Sequence, residues 1–130
     1  MPLLRFDLVA GRSPQQVREL LDAAHRAMVE AFAVPDSDRY QVVHQHPAEE
    51  MVLEDTGLGI TRSRSMVLLQ MTSRRRTQQE KERFFDLLVQ RLQTACDVSP
   101  EDVVVSIVEN SDSDWSFGHG RAQFLTGELT

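Results

Sequence analysis

Apolar and polar positions along this chain fall into two stretches with one plan. LLRFDLVAGRSPQQVRELLDAAHRAMVEAFAVPDSDRYQVV and VLLQMTSRRRTQQEKERFFDLLVQRLQTACDVSPEDVVVSI align without gaps at a shift of 64. Leu4 meets Leu68, Arg12 meets Arg76, Gln15 meets Gln79, Asp22 meets Asp86, Val34 meets Val98 and Asp38 meets Asp102. Each copy opens on an apolar run that reads as a strand, Leu3 to Val9 and Met66 to Thr72. A helix start follows in each. Ser13-Pro14-Gln15-Gln16 and Thr77-Gln78-Gln79-Glu80 set a hydroxyl residue three positions before Gln or Glu, the spacing of a capping box. Pro14, at the first helical position, strengthens the first. Val17, Leu20, Leu21, Ala24, Met28, Ala31 and Phe32 then recur at helical spacing, as do Phe84, Leu88, Leu92 and Ala95. The turn residues of VPDSD and VSPED end the helices, and Tyr40 to Val43 and Val103 to Val108 return as strands.

The plan is therefore β-α-β twice, in the α/β (α+β) class. A right-handed crossover makes each pair of strands parallel. Two units side by side predict a four-stranded, mainly parallel sheet with both helices on one face. Strand residues alternate between faces, so Leu4, Phe6, Val67, Leu69, Val105 and Ile107 are not expected all to point at the helices. The remainder would form a bare apolar sheet face, which predicts association of sheets around a shared core. One domain over 1–130 is expected, with halves at about 2–46 and 66–110. A polar, glycine-containing connection joins them. The tail 111–130 holds the only tryptophan and two of the six phenylalanines. A tail that aromatic is expected to close a pocket or an interface.

Composition narrows the partners. The net charge is −6, which argues against nucleic acid, because phosphate binding needs a basic face. The positive charge is uneven: five arginines lie between Arg62 and Arg76, three of them consecutive in SRRRT. A local cationic site in an acidic protein suits a small anionic ligand. One cysteine, Cys96, excludes a disulfide within the chain and fits a cytoplasmic location. No apolar run reaches the length of a membrane span, and the first residues carry no signal-peptide pattern.

On the residues alone several positions keep two readings. Pro2 is an inert start or, once Met1 is removed, a reactive amine. Asp38 is a turn or capping residue, as its repeat mate Asp102 is, or a functional carboxylate. Arg74, Arg75 and Arg76 are a solvated edge, a subunit salt bridge or an anion grip. Trp115 and Phe117 are core, interface or pocket wall. His44 and His46 face one way on a strand but have no third ligand in register, so no metal is expected. Cys96 reads as a buried small residue; His25 and His119 receive no role.

The doubled β-α-β plan and the early proline resemble the tautomerase superfamily. The stretches MPLLRFDL, LLDAAH, VPDSDRYQ, EMVLEDTGLG, VENSDSDWSFG and RAQFLTGEL resemble, over essentially the whole chain, the malonate semialdehyde decarboxylase family within it. That resemblance implies a homotrimer with active sites near subunit contacts. It implies a catalytic amine on Pro2, a catalytic aspartate at Asp38 and two functional arginines at Arg74 and Arg76. It implies an apolar pocket wall of Trp115, Phe117, Phe124 and Leu129, and no cofactor. The reaction it implies is decarboxylation of malonate semialdehyde, a small anionic 3-oxo acid, to acetaldehyde and CO2, with hydration of activated acids as a side activity.

These residue types suit that chemistry. Loss of CO2 from a 3-oxo acid leaves an enolate, so the carbonyl must accept an electron pair as the bond breaks. A prolyl ammonium can donate a hydrogen bond to the carbonyl oxygen, or a neutral prolyl amine can form an iminium there. Two arginines two residues apart, if extended, project to one side and can grip a carboxylate. Asp38 can position Pro2 or activate a water. The alternatives built from the same parts are hydration, dehalogenation or tautomerisation of a related small acid; the non-enzyme alternative is a trimeric binding or signalling protein.

Overall fold

The structure, a computed structural model, describes residues 2–130. Strand β1 (Leu3–Val9) leads into helix α1 (Pro14–Phe32) and strand β2 (Tyr40–His46). Strand β3 (Val67–Arg74), helix α2 (Gln78–Cys96) and strand β4 (Val103–Asn110) repeat the unit, and a short helix α3 (Gln123–Thr126) lies in the tail. The doubled plan holds to the residue in the helices. Both span 19 residues, and both carry the full capping box, on Ser13 with Gln16 and on Thr77 with Glu80. Both end on a left-handed residue, Ala33 and Asp97, which stand at equivalent repeat positions. The strands run longer than the sequence pattern predicts: β2 continues to His46, β3 runs to Arg74 rather than Thr72, and β4 runs to Asn110. Ladder hydrogen bonds carry strands through polar residues that an apolar pattern does not mark.

The sheet order is β2-β1-β3-β4. Each β-α-β unit pairs its own strands in parallel, and the two units join antiparallel through β1 and β3, with Leu3 opposite Thr72 and Leu8 opposite Val67. This junction relates the halves by a local twofold and brings the start of β1 beside the end of β3.

Both helices pack on one face, as expected, but the six apolar residues behave differently from expectation. Leu4, Phe6, Val67 and Leu69 are buried in the core with Leu20, Met28, Phe84, Leu88 and Leu92, and Val105 and Ile107 pack against it. All six point at the helices. The physical reason is register: within each strand they stand two apart, and Phe6 faces Leu69, which faces Val105, so one alternation runs across the sheet. The opposite face is consequently mixed rather than apolar. It interleaves the exposed Tyr40, Val42 and Val108 with Arg5, His44, Gln70 and Ser106. Among the described residues, no helix is long and apolar enough to cross a membrane.

Candidate active site

The register of β1 places Pro2. Leu3 pairs with Tyr40 on one side and with Thr72 on the other, so the preceding Pro2 stands level with Arg39 and Ser73. It is buried, with Asp38 beyond one flank and Arg74 beyond the other. Met1, whose removal the sequence reading requires, lies outside the described residues.

Asp38 sits in the turn between α1 and β2, its N–H donating to the Pro35 carbonyl at 3.0 Å. It is 2% exposed. Neither carboxylate oxygen has a hydrogen-bond partner. Burial pushes its pKa above the ordinary carboxylate value, while Arg76, His25 and Arg74 pull it the other way. A buried carboxylate that caps nothing and pairs with nothing costs stability. Its repeat mate does the opposite. Asp102, equally buried, accepts from the Ser63 N–H at 2.7 Å and the Ser63 hydroxyl at 2.6 Å. Asp102 clasps the 47–66 connection; Asp38 clasps nothing.

Arg74 is the last residue of β3. Its Nη1 donates to Asp112 at 3.0 Å, and its guanidinium lies 3.8 Å from the Phe124 ring centre. It also reaches the Thr130 carbonyl at 3.3 Å. Arg76 lies beyond the strand, just before the Thr77 cap, with Nε donating to the Ser73 hydroxyl at 3.2 Å and its guanidinium 5.0 Å from the Phe32 ring centre. Burial lowers the Arg76 pKa from its ordinary value, against the attraction of Glu80. Stacking on rings and bonding to neutral or exposed groups leaves N–H donors on both arginines for an incoming anion.

Asp38, Arg74 and Arg76 line one cavity of about 290 Å³ with Phe32, Phe124 and Leu129. Of the expected wall, Phe124 and Leu129 face the cavity. Trp115 and Phe117 stand behind, stacked at 5.3 Å between centroids, with Phe117 edge-on to Phe124 at 5.4 Å. The tail is clasped rather than loose. Trp115 Nε1 donates to the Asn110 side chain at 2.7 Å, and the buried Gln123 accepts from the Phe117 N–H at 2.9 Å while donating to the Gly118 carbonyl at 2.8 Å. Arg75 does not line this cavity; all three arginines border a second, outer cleft with Ser113 and Leu125.

Larger clefts exist, and one of about 530 Å³ is the repeat copy of this cavity. Ala10, Arg12, Cys96 and Asp97 line it at the positions that Arg74, Arg76, Phe32 and Ala33 hold in the other. The copy lacks the chemistry. Ala10 replaces one arginine, Arg12 donates to the Ser65 carbonyl at 2.8 Å, and Met66, inside the chain, replaces Pro2. Burial raises the Cys96 pKa, so its thiol is unactivated.

Sequence reasoning missed Phe32, which lines the cavity, and Ser73 and Gln123, which hold Arg76 and the tail. Phe32 carries a helical-period signal that reads as core. Ser73 and Gln123 carry no signal beyond their position. His44 and His46 stand 6.4 Å apart between rings, and His46 bonds Asp7 at 2.6 Å. Among the described residues no group of three metal-ligating side chains exists.

A family model described as "Tautomerase enzyme" matches residues 38–118, and a second with that description matches residues 2–60. The chain is 54% identical to "Probable tautomerase YrdN" of Bacillus subtilis (strain 168), over 99% of this chain and 100% of that one. Among solved structures, a malonate semialdehyde decarboxylase described for its decarboxylase and hydratase activities is 58% identical, with a TM-score of 0.97 over 98% and 99% of the two chains. A second malonate semialdehyde decarboxylase, inhibited by 3-bromopropiolate, is 41% identical, with a TM-score of 0.94 over 98% and 97%. A fused 4-OT described as a symmetric trimer shares the fold at 20% identity, with a TM-score of 0.78 over 96% and 98%.

Proposed function

This chain belongs to the tautomerase superfamily, and from that premise we propose that it is a cofactor-independent decarboxylase of malonate semialdehyde. The observation that carries the reading is Asp38, a buried carboxylate without a hydrogen bond, sharing a small cavity with two arginines at the amino end of β1.

In this reading the substrate carboxylate binds Arg74 and Arg76, whose guanidinium groups offer paired donors. The aldehyde then lies towards the Pro2 nitrogen. With Met1 removed, that nitrogen is a secondary amine. As an ammonium it donates a hydrogen bond to the aldehyde oxygen; as a free amine it replaces that oxygen by an iminium. In either case the electron pair of the breaking C–C bond passes onto an electron sink, CO2 leaves, and the remaining carbanion equivalent takes one proton; on the hydrogen-bond route this gives acetaldehyde directly, and on the iminium route, whose formation released one water, a water then hydrolyses the product iminium to acetaldehyde and the free amine. Phe124 and Leu129, backed by Trp115 and Phe117, give the departing carboxylate an apolar setting in which its charge is poorly solvated. The negative charge of Asp38 favours the ammonium form of Pro2.

A second reading is supported by the named relative, a probable tautomerase: ketonisation of an enol 2-oxo acid, with Pro2 moving the proton. Hydration by an Asp38-activated water is a third use of the same groups. We assign the assembly to a homotrimer through the open sheet face of Tyr40, Val42 and Val108, in the cytoplasm, with no cofactor. The low-identity trimeric relative supports that assembly, and the mixed polarity of the face suits subunits that meet through hydrogen bonds as well as apolar contact. The test is whether protein lacking Met1 converts malonate semialdehyde to acetaldehyde and CO2 faster than it ketonises an enol 2-oxo acid.

A further inference from the structure

Asp38 is held by no hydrogen bond to its own side chain, so the backbone of its turn must set where the carboxylate stands. One buried side chain grips that turn from outside it. His25, on α1 and 3% exposed, lies with Nε2 2.8 Å from the Asp36 carbonyl oxygen, two residues before Asp38. A carbonyl oxygen only accepts, so Nε2 carries the hydrogen and donates it. The other ring nitrogen, Nδ1, is buried with no partner. A histidine kept for packing alone would be better replaced by an apolar side chain of like volume, because a buried polar atom without a partner costs stability. The Asp36 side chain is 92% exposed and contributes little to the grip, 3.4 Å from the same nitrogen. The remaining clasps on the turn are the Asp38 N–H to the Pro35 carbonyl and the Arg39 N–H to the Ser37 carbonyl, both at 3.0 Å, and the Arg39 side chain to Asp22 at 2.6 Å and to Gln41 at 2.7 Å.

We propose that His25 is a positioning residue: its Nε2–H holds the Asp36 carbonyl and thereby presents the Asp38 carboxylate at the amino end of β1. This rests on the reading of Asp38 as a functional group of the site. His25 touches no substrate in this scheme. It acts through the turn, and removing it lets the turn drift, so that Asp38 loses alignment with Pro2 while the arginine grip on the substrate carboxylate stays intact.

The test is a double-mutant cycle between His25→Leu and Asp38→Asn, in protein without Met1, read with malonate semialdehyde and in parallel with an enol 2-oxo acid. His25→Leu is expected to lower kcat by about tenfold to a hundredfold, the scale of a misplaced reacting group, with KM little changed. In the Asp38→Asn background the same change is expected to cost less than about twofold, because the two residues act as one unit. His25→Gln, whose amide nitrogen reaches the place of Nε2, is expected to recover most of the activity. Should the leucine variant fail to fold, His25→Asn takes its place; its shorter amide cannot reach Asp36. Wild-type kcat in the broken variants overturns the proposal, as does an equal loss in both backgrounds, which marks a purely structural role. Full activity of Asp38→Asn on both substrates removes the reading of Asp38 and the role of His25 with it. Loss of turnover of malonate semialdehyde alone, with the cycle intact on the enol acid, removes the decarboxylase reading and leaves His25 in place.

Discussion

Asp38 and Asp102 occupy equivalent places in the two halves of the fold, both buried, yet Asp102 accepts two hydrogen bonds from Ser63 and Asp38 accepts none. The same residue at the same turn is structural in one half and unsatisfied in the other. The unsatisfied one lies beside Arg74 and Arg76.

Asp38→Asn is expected to lower kcat by about 10²- to 10⁴-fold, the usual scale for a group that governs proton placement, and to stabilise the fold at neutral pH. The sign follows from burial. The folded-state pKa of Asp38 is raised, so between its ordinary value and the raised one the folded protein binds more protons than the unfolded chain. Stability is lost as pH rises through that window, and the ionised carboxylate is a burden above it. Thermal melts of both proteins across pH check this: the asparagine variant melts higher at neutral pH, and the gap closes towards acid.

Ser63→Ala is expected to behave in the opposite way. It strips the hydroxyl bond from buried Asp102 and costs about 1–3 kcal/mol, with kcat unchanged because Asp102 lies at the far end of the sheet from Pro2. Denaturant melts alongside turnover check it.

Arg74→Ala and Arg76→Ala are each expected to lower kcat/KM by about ten- to a hundredfold, the equivalent of a charge-assisted hydrogen bond. Lysine at position 76 recovers little, since it cannot lie over Phe32 and reach Ser73 with a planar fork. Arg75→Ala, which leaves both arginines of the cavity in place, leaves turnover as it was. Steady-state kinetics on the three variants separate these outcomes.

Val108→Glu, on the open sheet face where Val108 is 59% exposed, is expected to dissociate the assembly into monomers without unfolding them. Sedimentation equilibrium reads the mass. A wild-type protein already monomeric contradicts the trimer.

Much of the fold was legible because it rests on short-range rules. Both capping boxes and both helices follow from residues within one turn of each other, and the repeat shift carries each half onto the other. The facing of the sheet was not, because it depends on register across the antiparallel β1–β3 junction, which no local pattern encodes; the six apolar residues therefore turned out to share the helix side. Pro2, Asp38, Arg74 and Arg76 kept more than one reading on the residues alone and took functional ones from the family resemblance; that same junction sets Pro2 level with Ser73, and Asp38, Arg74 and Arg76 line one cavity. Trp115 and Phe117 fell one layer behind the cavity, since aromatic composition marks a packed tail without saying which ring faces inward. His25 and Ser73 escaped because a histidine in a helix and a serine in a strand carry no sequence signature of what they hold.

The central claim is that the Pro2 amine does the chemistry, and proton NMR of malonate semialdehyde with untagged protein tests it most directly. Three samples suffice: protein whose mass shows Met1 removed, protein that retains Met1, and Pro2→Ala. The account predicts rapid acetaldehyde formation in the first, none above background in the second, where the nitrogen is an amide, and a collapse in the third. Equal turnover in all three, or none in the first, contradicts it.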